Sequence, residues 1–163
     1  MGIRPVVLLT PSLAAALELP RRLASAGRAV AGLLPFKLLD LARAIAEPAL
    51  LGEGREAWHF GHDALLAARL LPEASGLSPS PALPLRPAAL ALARTLAELR
   101  RGGVAPESLH ALARGAQAED APRLQGLALL LRRFDEVLDA RFADPAVVLR
   151  AAADRVPNLR PTR

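Results

Sequence analysis

The spacing of apolar residues changes character once along this chain, near residue 35. Before that point two short, continuous apolar runs flank a helical pattern; after it the period is helical throughout. Val6 and Val7 place β-branched residues in the run from Pro5 to Leu9, the pattern of a strand covered on both faces. Thr10 then offers an N-cap side chain, and Pro11 suits a first helical position, where its missing N–H costs nothing. Leu13, Leu17 and the alanines at 14–16 mark one apolar helical face, and Pro20 predicts a kink or a restart near Leu19. Gly27 closes that helix, and Ala29 to Leu34 is the second strand candidate. Two strands joined through a helix are expected to be parallel, with a right-handed crossover.

Beyond Pro35 the pattern predicts helices only. Phe36 to Ala46 forms one, stopped by Pro48; residues 52–54 form a loop, and another helix runs from about Asp63 to Leu71. Pro72 to Pro87 contains five prolines and no periodicity, which marks a linker. Pro87 opens a long helix through Leu90, Leu96 and Leu99, ended by Gly102 and Gly103. Pro106 starts a short helix ending at Gly115. Asp120 and Pro122 start the most strongly patterned one, with Leu124, Leu127, Leu131, Phe134 and Leu138 on one face. Asp144 and Pro145 repeat that start signal for a last helix, and the residues from Pro157 onward read as connector.

Composition sharpens this layout in three respects. Aromatic residues make up 3% of the chain, so the core must be built from Leu, Val and Ala. Cysteine is absent, which removes disulfides, thiolate metal sites and cysteine nucleophiles. The net charge is +5, yet Lys37 is the sole lysine, and the arginine excess matches the Ala-, Leu- and Pro-rich usage of a GC-rich genome. The pI near 11.3 therefore overstates any nucleic-acid signal. The distribution says more. Residues 1–46 carry six basic and two acidic side chains, residues 47–85 two and five, and residues 86–114 five and two. No apolar run approaches the roughly 18–20 residues of a membrane span, so no membrane partner is expected. A soluble, cytoplasmic protein is the default expectation.

The candidate chemistry is sparse. His59 and His62 have a spacing that could place two imidazoles on one metal, with Asp63 beside them, but Gly61 interrupts the pair and no third ligand cluster follows. Asp135, Glu136 and Asp139 form an acidic patch, Asp135 and Asp139 sharing a helix face. Arg132 and Arg133 precede them and are expected to pair with them as a solvated, salt-bridged surface. The pairs Arg21-Arg22, Arg100-Arg101 and Arg132-Arg133 read as ordinary surface, with Arg100-Arg101 suited to the negative end of their helix. The turn after the first strand holds Thr10, Pro11 and Ser12 where a phosphate-binding loop would need glycines. No nucleotide loop, catalytic triad or other complete active site can be assembled, and no cofactor is implied.

Four stretches together resemble the N-terminal region of AddB-type helicase–nuclease subunits, which carry a degenerate UvrD-like superfamily 1 helicase region and a PD-(D/E)XK nuclease. "LLTPSLAAALELPRRL" is similar to that family's first strand, its "PS" or "PT" turn and its Arg-rich helix, and "VAGLLPFKLLDLARAIA" to the next strand and helix. "LARTLAELRRGGVAPESLHAL" resembles the stretch L-x-E-L-R-x-x-G-V-x-P-E-x-L, the most specific match, and "LALLLRRFDEVLDARFADPAVVLRAAA" the long helix that follows. The resemblance implies that Thr10, Ser12, Arg21, Arg22 and Lys37 are DNA-contact candidates, on turns that grip single-strand backbone.

The expected fold is α/β by topology but mostly α: a short parallel β-α-β unit, then a helical domain, as part of an incomplete helicase-like, P-loop NTPase-like domain. Its expected divisions are residues 1–47, a partial helicase-like α/β segment; 48–86, a helix and the Pro-rich linker; 87–155, a helical insertion domain; and 156–163, a connector. The implied function is a catalytically inactive scaffold and DNA-path portion of a double-strand-break repair subunit. No enzyme activity is expected of this chain alone, whereas the whole protein could carry a C-terminal nuclease. Its partners would be a helicase–nuclease subunit and, weakly, single-stranded DNA. With two short strands uncovered, the chain by itself is expected to self-associate. The rival reading is a helical protein–protein interaction module with no nucleic-acid role; a small-molecule enzyme has the least support.

Overall fold

A computed structural model describes residues 6–28, 31–59, 61–73, 77 and 85–158. The described residues are mostly helical and divide into two compact units. One draws on residues 1–49 and 148–163, the other on 50–147.

The first unit opens with β1 (Val6–Thr10), α1 (Leu13–Ser25), β2 (Leu33–Lys37) and the start of α2 (Leu38–Gly52). β1 and β2 are parallel, in a register that sets Val6 beside Leu33 and Thr10 beside Lys37. The β-α-β order is therefore present, shifted from its expected bounds. β2 lies later than the Ala29–Leu34 run; Ala29 and Val30 fall outside the described residues. Pro35 sits inside β2, where a strand paired on one side only can accommodate its missing N–H.

The helix starts differ as well. Thr10 remains in β1 because a residue before proline is held extended, and the N-cap is Ser12, whose Oγ accepts the Ala15 N–H at 3.2 Å. α1 continues through Pro20 without a restart, and α2 continues through Pro48 to Gly52 instead of stopping there. Each proline removes one intrahelical hydrogen bond. The buried Ala16 in α1 and Ala42, Ala46 and Leu50 in α2 supply packing that offsets it. Gly27 takes φ +72, and the amides of Gly27 and Arg28 return to the carbonyls of Ala24 and Leu23, closing the last turn of α1. The double covering expected of β1 is not found. One helix covers one face of a two-strand ribbon, and Val6, Val7, Leu9 and Leu34 remain about half exposed.

The second unit is helical. It holds the two-residue β3 (Glu56–Ala57), α3 (His62–Leu70), a 3-10 turn over Leu71–Glu73, α4 (Leu85–Arg101), α5 (Pro106–Gly115), α6 (Ala121–Asp139) and β4 (Phe142–Ala143). α7 (Pro145–Arg155) begins here. The short strands β3 and β4, absent from a helix-only expectation, pair in parallel over two residues. Most of the Pro72–Pro87 linker lies outside the described residues.

α6 forms the centre. Leu131, Phe134 and Leu138 are fully buried with Leu96 of α4 and Leu109 of α5, while Leu124 and Leu127 are only partly covered. Packing on several sides widens the buried surface to Ala128 and Leu130, beyond the single stripe seen in sequence.

The surface reading of the Arg100-Arg101 pair holds for the exposed Arg101 and fails for Arg100. It is 6% exposed, and its guanidinium bonds three carboxylates: Nε and Nη2 to Asp144 at 2.9 and 3.3 Å, Nη2 to Asp139 at 2.9 Å, and Nη1 to Asp135. Burial alone would lower the Arg100 pKa. The hydrogen bonds and charges of Asp144 and Asp139 outweigh it and raise the value. Asp144 also accepts the Val147 N–H at 2.9 Å, capping the start of α7. Asp135 and Asp139 of the acidic patch thus turn to Arg100 of α4, while Glu136 stays exposed and pairs with Arg133 at 2.9 Å, as expected of that surface. Arg132 pairs outside the patch, with Glu107 at 3.0 Å, and Arg133 also lies 3.6 Å from Glu73.

Candidate functional site

In a parallel β-α-β unit the carboxyl ends of both strands and the amino ends of the following helices lie on one edge, where open α/β sheets bind ligands. Thr10 and Lys37 are register partners at that edge. The chain leaves β1 through Pro11 and Ser12 into α1, and leaves β2 directly into α2 at Leu38.

The polar groups there are fixed by their own backbone. The Thr10 hydroxyl has one hydrogen to donate and two carbonyls within reach, that of Ser12 in the turn at 3.1 Å and that of Phe36 in β2 at 3.4 Å. Ser12 caps α1. The amides of Leu13 and Ala14, in the first turn of α1, have no intrahelical partner and point out of the helix end. Lys37 is half exposed, its Nζ 3.3 Å from Asp40 in the first turn of α2. The edge therefore combines two helix amino ends, unpaired backbone amides and one ammonium paired with a carboxylate. Such a set accepts anionic oxygens and offers no nucleophile–base pair.

Thr10, Ser12 and Lys37 are brought together; Arg21 and Arg22 are not. They lie nine and ten residues past Ser12, about 13–15 Å along the α1 axis. Arg22 turns to Glu18, 3.8 Å away. Arg21 lines a different feature, a cleft of about 730 Å³ with Pro20, Ala24, Gly27, Arg28, Gly32 and Leu33 around it. Arg28 stands outside any arginine pair, and a reading that looked for paired cations passed over it. The helix-closing glycine directly before it was the available signal.

His59 and His62 approach edge to face, ring centroids 5.7 Å apart. Gly61, at φ +95, lies between them, and His62 begins α3. Asp63 is engaged by the Trp58 indole N–H. Among the described residues no three His, Asp or Glu side chains converge as metal ligands. Nor, among them, is any helix long and apolar enough to cross a membrane.

No protein-family model matches the chain, and no curated protein matches it in sequence.

Proposed function

We propose that the chain is the front portion of a helicase-like subunit of a DNA double-strand-break repair helicase–nuclease. In that role it does no chemistry itself, scaffolds a translocating partner subunit and lines part of the path of single-stranded DNA. The observation that carries the reading is the meeting of Thr10, Ser12 and Lys37 at the carboxyl edge of the parallel strand pair. Two helix amino ends and a lysine there favour phosphodiester oxygens and read no base. The Thr-Pro-Ser turn lacks the glycines and lysine of a nucleotide loop, so the same edge grips a backbone and does not hold a triphosphate.

Few charges are involved, so binding is weak, with a dissociation constant of order 10⁻⁴ M or poorer at physiological salt. The test is fluorescence anisotropy with labelled oligothymidylate at low salt. Lys37→Ala is expected to weaken binding, and an unchanged isotherm would remove the edge from the DNA path.

One observation favours the interaction-module reading. Val7, Leu9 and Leu34 leave an aliphatic surface on one face of the β1–β2 ribbon that a protein partner would cover. A partner subunit seated there is compatible with the DNA-path role. A module without any nucleic-acid contact would leave oligothymidylate unbound at low salt.

A further inference from the structure

The cleft beside Arg21 lies at the end of α1 remote from the strand edge. Its described walls are the last two turns of α1, Gly27 and Arg28 just after them, and Gly32 and Leu33 at the start of β2. Among the described residues that line it, two are arginines and none is acidic. The nearest carboxylate in sequence, Glu18, is directed to Arg22, and Arg21 and Arg28 are both exposed.

The carboxyl end of a helix ordinarily repels an anion. Here that end is closed over itself: the carbonyls of Arg22, Leu23 and Ala24 accept the amides of Ala26, Arg28 and Gly27, and the Arg21 carbonyl accepts the Ser25 hydroxyl at 2.9 Å. Two guanidiniums then dominate the field in the cleft. Gly27 and Gly32 line it without side chains, and a Cβ placed on Gly27 would meet nothing within 4 Å, so a bulky chain has room to approach the backbone. The other described residues lining it are Pro20, Ala24 and Leu33, aliphatic and without the aromatic faces on which bases stack.

We propose that this cleft is a second backbone-contact site, where Arg21 and Arg28 each hold a phosphodiester of a single-stranded nucleic acid. The guanidinium fork matches paired phosphate oxygens, and the aliphatic floor accepts sugars without selecting bases. The assignment rests on the reading of this unit as facing nucleic acid. It extends that reading from one edge to both ends of α1.

The test uses the whole chain and labelled oligothymidylate, with anisotropy followed from about 50 to about 200 mM salt. Arg21→Gln/Arg28→Gln removes two positive charges from the cleft. Arg94→Gln/Arg101→Gln removes the same charge from exposed positions of α4 and serves as the control. For two single-strand phosphate contacts the cleft variant is expected to bind about tenfold more weakly at low salt and to flatten the salt slope by roughly 1.4. The control variant should follow the unmodified chain, and circular dichroism should show unchanged helicity in both.

Equal behaviour of the two variants would overturn the cleft assignment. If Lys37→Ala still weakens binding in that case, the strand-edge reading stands without it. If the unmodified chain binds no oligonucleotide at low salt, both fall. A labelled polyglutamate probe that binds more tightly than the oligonucleotide, and is lost in the cleft variant, would overturn the phosphodiester assignment in favour of an acidic protein segment.

Discussion

Replacing Arg100 by Met should be the most damaging single change outside the apolar core. The substitution keeps most of the side-chain volume and removes the guanidinium from three carboxylates. Their exposures differ: the side chains of Asp144, Asp135 and Asp139 are 6%, 28% and 45% exposed. Asp135 and Asp139 can rehydrate, so most of the cost falls on Asp144, which retains only the Val147 N–H. Breaking a buried ion pair from one side costs about 3–5 kcal/mol, and the partial rehydration places this case near 3 kcal/mol. With a urea slope of roughly 1.5 kcal/mol/M, the midpoint should fall by about 2 M. Trp58, the single tryptophan, packs edge to face on Phe142 at 4.9 Å and on His62 at 5.2 Å in the same unit, so its fluorescence reports that unfolding. Arg101→Met removes an exposed neighbour bonded only to the Ala97 carbonyl and should cost less than about 0.5 kcal/mol. Arg100→Met/Asp144→Asn should recover about 1 kcal/mol or more, since the stranded buried charge is gone. A loss for Arg100→Met no larger than for Arg101→Met would refute the argument that the guanidinium joins α4 to α6 and to the start of α7.

Other outcomes follow from the same geometry. Glu107 has its carboxyl held below the usual glutamate range, chiefly by its own backbone N–H at the amino end of α5 and then by Arg132. A depressed acid contributes stability that is complete above its unfolded value and is lost as pH falls through the folded one. An NMR titration of Arg132→Gln should therefore find the Glu107 midpoint raised but still below an ordinary glutamate, and an unshifted midpoint would refute the pairing. Val7 and Leu34 face each other across β1 and β2, 48% and 46% exposed, so the chain should be a dimer or larger at micromolar concentration. Light scattering behind a sizing column should then show Val7→Glu/Leu34→Glu shifted toward monomer; a monomeric unmodified chain would contradict this. Calorimetry with Mg-ATP should detect no binding, and a magnesium-dependent micromolar isotherm would overturn the assignment of the Thr-Pro-Ser turn.

The parallel strand pair and the helix series were legible because they rest on local signals: apolar runs, caps and proline–glycine punctuation. Pro106, Gly102-Gly103 and Asp144-Pro145 mark boundaries the structure keeps. Pro48 does not stop α2 as expected, and α1 runs through Pro20 without the restart that was one of its two expected effects, because tertiary burial outweighs one lost hydrogen bond. Arg100 illustrates the larger limit. An arginine near a helix end looks the same in sequence whether it faces water or three aspartates, and two of its partners lie 39 and 44 residues away. The meeting of Thr10 with Lys37 could be inferred from β-α-β topology. The separation of Arg21 and Arg22 from that edge follows from helix rise alone, once the helix is known to run unbroken through Pro20.

Hydrogen exchange followed by mass spectrometry, with and without millimolar oligothymidylate at low salt, addresses the DNA-path assignment most directly. The nucleic acid should slow exchange in peptides covering residues 9–15 and 36–41, the two turns at the carboxyl edge of β1 and β2. Added salt should restore the rate in parallel with loss of binding. Exchange in those peptides that stays unchanged at saturating oligonucleotide, or protection confined to residues 50–147, would contradict the account.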